Sequence, residues 1–301
     1  MTLAQTISAR LTDLEYAAAW RLVRALPEPV ALGAFRLGAD LAARRGGTGA
    51  RQLRANLRRA APGADLDVLV RDGLRSYARY WCEAFRLPSM DPADVHARTR
   101  VTGPGPFAEA LDDGRGVVLA LVHSGNWDAA GVWLVETLRR RGLEPSFTTV
   151  AQRLAPESVY RRFVAYREAL GFEVVAAEGG SATHRALTSR LRSGGVVCLL
   201  ADRDVTGTGA EVSFLGAPTT MPTGPARLAA LTGALLLPTH ACFTPDGWSL
   251  DFADPVPVPG RADVGRHDVG GATQALADAF GVLVSRAPAD WHVLQPIWRE
   301  P

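Results

Sequence analysis

After residue 100 the apolar and polar positions of this 301-residue chain fall into a rhythm of short apolar runs separated by longer amphipathic stretches. The runs at 117–122, 146–150, 172–176, 196–201, 234–243 and 248–252 read as strands, each rich in Val, Leu, Ala or Phe. The stretches at 128–141, 156–170 and 181–193 read as helices, and a further helix is predicted over 270–286. Such alternation builds an α/β fold, a mainly parallel central sheet flanked by helices, with antiparallel additions late in the chain.

The first hundred residues have a different texture. Helices are predicted over 10–26, 30–43, 51–61 and 66–87, the last ending in RYWCEAFRL before Pro88. In the first, Arg10, Arg21 and Arg24 share one side while Leu11, Tyr16, Trp20, Leu22, Val23 and Leu26 cover most of the rest. The second holds an Arg36/Asp40 pair at i,i+4 and ends in Arg44-Arg45. Such helices suit a bilayer interface, arginines on phosphates and Trp20 at headgroup depth; they equally suit packing on the protein's own core. With no repeat or low-complexity linker, the chain reads as one domain, 1–301. Within it, 1–45 form an N-terminal helical membrane-docking region, 46–100 a helical segment and 101–301 the α/β core.

The richest stretch is GVVLALVHSGNWDAAGV, residues 116–132. His123 follows a buried strand, and Asp128 falls in the first turn of the next helix, where a carboxylate is favoured. In open α/β sheets ligands bind at that strand edge. A carboxylate that accepts the imidazole N–H fixes its tautomer and readies the other nitrogen to deprotonate an alcohol. The same two residues also fit a hydrogen-bonded turn histidine beside a capping aspartate. At the end of the fourth strand stands ADRD, which puts Asp202 and Arg203 on the same edge, as support for the histidine, as sugar and phosphate ligands, or as a charged turn. Arg153, Arg161, Arg162 and Arg167 surround the second strand and the following helix; guanidinium forks match phosphates, though some of the four are solvated surface charge.

Composition prunes these options. A net charge of +2 is too mild for nucleic acid, and no residue among the 33 Lys+Arg is lysine, which excludes Schiff-base chemistry and a Walker phosphate loop. Three scattered cysteines give neither a disulfide framework nor a zinc motif, and His96, His184, His240, His267 and His292 show no metal-ligand spacing with His123. Neither G-x-S-x-G nor a strand-following G-x-G-x-x-G occurs. No apolar run is long enough to span a bilayer and no signal-peptide pattern opens the chain, so the expectation is a cytosolic or peripheral protein.

HSGNWDAAG, ADRDVTGTGAEVSFLGAPTTMPTGPARLAALTGALLLP and PADWHVLQPIW occur in this order. Together they resemble the bacterial lysophospholipid acyltransferase superfamily, in the branch of the lipid A late acyltransferases. AAAWRLVRALPE and FTTVAQRLAPESVYRRFVAYREALGFEVV look like the phosphatidylinositol mannoside acyltransferases within it. The resemblance covers nearly the whole chain. It implies acyl transfer from acyl-CoA, as co-substrate and without a cofactor, to a mannose hydroxyl of a phosphatidylinositol mannoside at the cytoplasmic face of the cell membrane. By motif it makes His123 the general base, Asp128 its orienter, Asp202 the fourth-strand carboxylate and Arg167 a ligand-binding arginine. Gln152 and Arg153 fall beside these, with Arg203, as further substrate contacts. The shorter Asp202 and the neutral Gln152 stand where that branch usually carries glutamate. Rival readings are transfer to another glycolipid or a lysophospholipid, hydrolysis of an acyl thioester, and a non-catalytic membrane-binding protein.

Overall fold

The computed structural model describes residues 20–152, 157–177, 180–260 and 268–298. Helical residues 20–25 come first, followed by α1 (Glu28–Arg45), α2 (Thr48–Ala60), α3 (Leu66–Arg86) and α4 (Pro92–Ala97). Helix α3 starts where the Asp65 carboxylate accepts the N–H groups of Asp67 and Val68, and α1 stops at Gly46, whose left-handed φ of 59° favours glycine. Then follow β1 (Thr99–Thr102), α5 (Gly105–Asp112), β2 (Val117–Leu121), α6 (Trp127–Arg140), β3 (Phe147–Ala151), α7 (Glu157–Ala169), β4 (Phe172–Ala176), α8 (Ser181–Arg192) and β5 (Val196–Leu200). A hairpin, β6 (Ala210–Phe214) and β7 (Ala217–Met221), precedes α9 (Gly224–Thr232), β8 (Leu235–Phe243), β9 (Trp248–Phe252) and α10 (Asp268–Arg286).

Seven strands form one sheet in the order β1-β9-β8-β2-β5-β3-β4. Strands β8, β2, β5, β3 and β4 run parallel, while β9 returns antiparallel to β8 and β1 pairs parallel with β9. Strand β2 is buried on both faces, which is why it reads as an unbroken apolar run. Val117, Leu119 and Leu121 face a core with Trp133 and Leu134 of α6; Val118 and Ala120 face the opposite core with Phe214, Leu276 and Phe280. Register then places the chemistry. Val117 to Leu121 pair with Val196 to Leu200, so two residues further on His123 comes level with Asp202, in the crevice beyond the strands' carboxyl ends.

The six strands and, apart from the first, the helices read from periodicity are present in the described residues, with ends that coincide or shift by up to three residues. Not foreseen were β1, the β6–β7 hairpin, α4, α5 and α9. Strand β1 is short and half-exposed, and β7 carries Pro218 in a separate two-stranded sheet, so neither has the apolar run of a central strand. The first predicted helix lies outside the described residues before position 20. From there Trp20 is seated on the protein itself: its indole N–H donates to the Phe85 carbonyl at 2.9 Å and its ring packs on Phe85 and Tyr166. The Arg36/Asp40 pairing is replaced by one between helices, Arg75 Nη2 to Asp40 Oδ2 at 2.8 Å. Leu22, Val30, Leu37 and Leu41 remain exposed. No helix among the described residues is long and apolar enough to cross a membrane.

Candidate active site

The loop from His123 to Asn126 is held from three directions. Gly125 has φ 53°, and a Cβ there would meet the Ala241 carbonyl oxygen at 2.5 Å, so the loop can press on β8 only through a glycine. Asn126 caps α6 by accepting the Ala129 N–H at 2.9 Å, and its amide donates to Glu83 Oε2 at 2.8 Å. Glu83, buried on α3, also accepts from the Trp248 indole and from Arg79. Behind the loop, the His292 N–H donates to the His123 carbonyl at 2.7 Å and the Gly125 N–H to that of Asp290 at 2.8 Å.

The carboxylate on the His123 ring is Asp202. His123 Nδ1 lies 2.6 Å from Asp202 Oδ1, while Asp202 Oδ2 accepts the His123 backbone N–H at 3.0 Å and the Trp291 indole N–H at 2.9 Å. Complete burial by itself would push this carboxyl up, but the His123 ring and the N–H donors outweigh it and hold Asp202 below the usual carboxylate range. The geometry assigns the imidazole proton to Nδ1 and leaves Nε2, on a side chain 29% exposed, without a hydrogen bond among the described residues.

This corrects the expected pairing. Asp128 opens α6 as foreseen, but its partners are Arg167, whose Nε donates to Oδ1 at 3.0 Å, and the Tyr80 hydroxyl, which donates to Oδ2 at 3.1 Å. The spacing of five residues suggested a dyad because both lie at one strand–helix turn. The helix instead directs Asp128 at α3 and α7, and the β2–β5 register brings in Asp202. Burial works against the Arg167 charge, yet Asp128 raises its pKa overall; burial and the same carboxylate together raise the Tyr80 hydroxyl. Trp127 joins the two clusters, its ring 4.0 Å from that of Tyr80 and edge-on to His123 at 5.9 Å.

The other expected contacts divide. Arg203, beside Asp202 in sequence, donates to the Gln295 side chain at 2.6 Å on the far side of the sheet edge. Gln152 is exposed just past β3, Arg161 pairs with Glu157 on the surface of α7, and Arg153 lies outside the described residues. Trp291, Tyr80 and Glu83 were missed as site residues. PADWHVLQPIW and RYWCEAFRL held them in view, but only tertiary contact across 89 residues in the case of Trp291 and Asp202 reveals their part.

Below the Asp128–Arg167 pair a narrow apolar slot opens between α6 and the sheet. Leu119, Leu121, Ala130, Phe147, Phe172 and Leu200 are among its walls. The lining matches a hydrocarbon chain. Ala130→Phe should fill it: turnover of a C16 acyl donor falls at least tenfold while that of a C4 donor stays within about twofold of wild type, since the loss of chain contacts costs about 1.4 kcal/mol per tenfold. An equal loss for both donors in a chain-length series would remove the slot from the acyl path.

Two buried histidines make a separate prediction. His292 Nε2 lies 2.8 Å from Ser76 Oγ, and its Nδ1 has no partner; burial holds its pKa down to about 3 and that of His240 to about 4. The unfolded chain binds these protons near pH 6.5 and the fold refuses them. Their stability is complete above that pH and is lost as pH falls toward 4 and 3, at about 1.4 kcal/mol per unit for each ring. Urea unfolding from pH 7 to 4.5 should show this slope, reduced by about one such increment in His292→Gln. A slope unchanged by the substitution would contradict it.

His240, Cys242 and Asp251, across β8 and β9, bring one ligand atom each within 4.8 Å of the others. Burial raises the Cys242 thiol far above its ordinary range, so the protonated sulfur makes a hydrogen-bonded contact with His240 Nδ1 at 3.0 Å. A divalent ion would have to displace that proton before it could use the thiolate.

The site thus holds a histidine bound to a buried carboxylate at the edge of a parallel sheet, with an apolar slot nearby. The chain belongs to the bacterial lipid A biosynthesis acyltransferase family, whose pattern matches residues 6–300, and it is an acyltransferase. Within that family it is 51% identical to the phosphatidylinositol mannoside acyltransferase of Mycolicibacterium smegmatis, over 99% of this chain and 95% of that protein. It is 49% identical to the protein of the same name from Mycobacterium tuberculosis strain H37Rv, over 97% of this chain and 90% of that one.

Proposed function

We propose that the protein moves a fatty acyl chain from acyl-CoA to a mannose hydroxyl of a phosphatidylinositol mannoside, through a ternary complex and without a covalent intermediate. The observation that carries the reading is the His123 Nδ1 to Asp202 Oδ1 contact of 2.6 Å, which leaves Nε2 free to take a proton. The acceptor hydroxyl gives its proton to Nε2 as its oxygen attacks the thioester carbonyl. The imidazolium formed is stabilised by Asp202 and returns the proton to the departing CoA sulfur. Arg167, at the mouth of the slot and kept charged by Asp128, is placed to oppose the negative charge on the carbonyl oxygen in the tetrahedral state.

Membrane docking follows from α1, where Val30, Leu37 and Leu41 recur at i, i+7 and i+11 and stand in solvent, with Arg44 and Arg45 in its last turn. We assign the protein to the cytoplasmic face of the cell membrane, where acyl-CoA is supplied, as a peripheral protein. Palmitoyl-CoA incubated with a panel of phosphatidylinositol mannosides, other glycolipids and lysophospholipids, with products read by mass spectrometry, tests this. A mass gain of one acyl group on the mannoside alone is expected. CoA release at the same rate without acceptor would make the protein a thioester hydrolase instead.

A further inference from the structure

The dyad stands between two faces of the sheet, and the slot accounts for only one of them. On the opposite face, a wide groove, open to solvent, runs from Arg203 to α2 and the C-terminal segment. Three guanidiniums line it, from Arg58, Arg59 and Arg203. Arg59 lies over the ring of Trp298 at 5.0 Å, and that ring is itself fixed by its N–H to the Phe214 carbonyl at 3.2 Å and by packing on the Phe214 ring. Stacking holds a guanidinium in place while leaving its in-plane donors unused. Neither Arg58 nor Arg59 has an ion pair among the described residues. Of the two carboxylates in the groove, Asp204 is occupied by the N–H groups of Gly207 and Gly209, which leaves Glu211.

We propose that this groove seats the head group of the acceptor, a single phosphodiester flanked by hydroxylated rings, with Arg58, Arg59 and Arg203 on the phosphate and Glu211 on ring hydroxyls. The assignment rests on the acyl-transfer reading above and adds where each substrate lies. The acyl tail enters from the α6 face, the head group from the α2 face, and they meet at His123. Arg203, which lines the groove, is the residue after Asp202, so groove and dyad draw on the same segment beyond β5. Its mixed lining favours one phosphate among many hydroxyls over the several phosphates of coenzyme A, which Glu211 and Asp204 would repel.

The test uses Arg58→Ala/Arg59→Ala, two exposed positions whose loss leaves the fold intact, in the full chain. Calorimetry with the water-soluble, deacylated head group of the mannoside should give a Kd at least tenfold weaker than wild type, while inorganic phosphate binds wild type far more weakly than the head group does. In steady state the KM for the lipid acceptor should rise at least tenfold, with the KM for palmitoyl-CoA within twofold. A rise in the palmitoyl-CoA KM instead would give the groove to the donor. Equal affinity of wild type for inorganic phosphate and head group, or an unchanged head-group Kd in the variant, would also overturn the proposal. Head-group binding that depends on these arginines in a protein that acylates no mannoside would sink the acyl-transfer reading and leave the groove standing.

Discussion

Asp202→Asn should lower kcat by about 10⁴-fold, the size of effect seen when the carboxylate behind a catalytic histidine becomes an amide. The amide turns its oxygen to the two fixed donors, the Trp291 indole and the His123 backbone N–H, and so offers its NH2 where His123 Nδ1 now donates to Oδ1 at 2.6 Å. The ring answers by placing its own proton on Nε2, and a protonated Nε2 cannot take one from the acceptor. The neutral-for-anion change is mild for the fold, because the Trp291 indole and the His123 backbone N–H keep an oxygen to bind. Asp202→Glu restores the tautomer and should recover most of the rate, at a packing cost of about 1–3 kcal/mol for the extra methylene. His123→Ala removes the base itself and should cost about 10²–10⁴-fold in acceptor-dependent CoA release. Steady-state rates with saturating palmitoyl-CoA and mannoside read all three. Wild-type kcat in Asp202→Asn would show that His123 needs no carboxylate behind it.

Much of this site could be read from the chain before any coordinates. Strand β2 is apolar at every position because both faces are covered, so its end, and with it His123, was legible from the run alone. Asp202 was placed on the same edge by the same logic. What periodicity could not supply was register: residues 123 and 202 meet because β5 lies beside β2, although β3 and β4 intervene in sequence. Local spacing therefore favoured Asp128, five residues from the histidine, over Asp202, 79 residues away. The same limit hid Trp291 and Glu83, whose roles depend on segments that approach the loop from opposite ends of the chain. Trp20, read as a residue at headgroup depth, packs on α3 because its indole finds the Phe85 carbonyl, a partner no helical wheel contains.

Asp128→Asn should act mainly on stability, where Asp202→Asn acts on rate. Asp128 and Arg167 are 2% and 18% exposed at the side chain, and removing one charge leaves the other guanidinium buried without its counter-ion. Breaking such a pair costs about 3–5 kcal/mol, which lowers Tm by roughly 10 °C in a chain of this size. Arg167→Met in the same chain removes the stranded charge and should return most of that loss, since an apolar replacement of both partners is often neutral. Catalysis should not return with it, because the guanidinium at the mouth of the slot is gone. Thermal unfolding of the two single variants and the double variant separates these contributions, the coupling appearing as non-additivity of the two losses. If Asp128→Asn instead kept the wild-type Tm and matched Asp202→Asn in lost kcat, the residue that orients His123 in turnover would be Asp128, and the 2.6 Å contact would be a resting arrangement that the acceptor displaces.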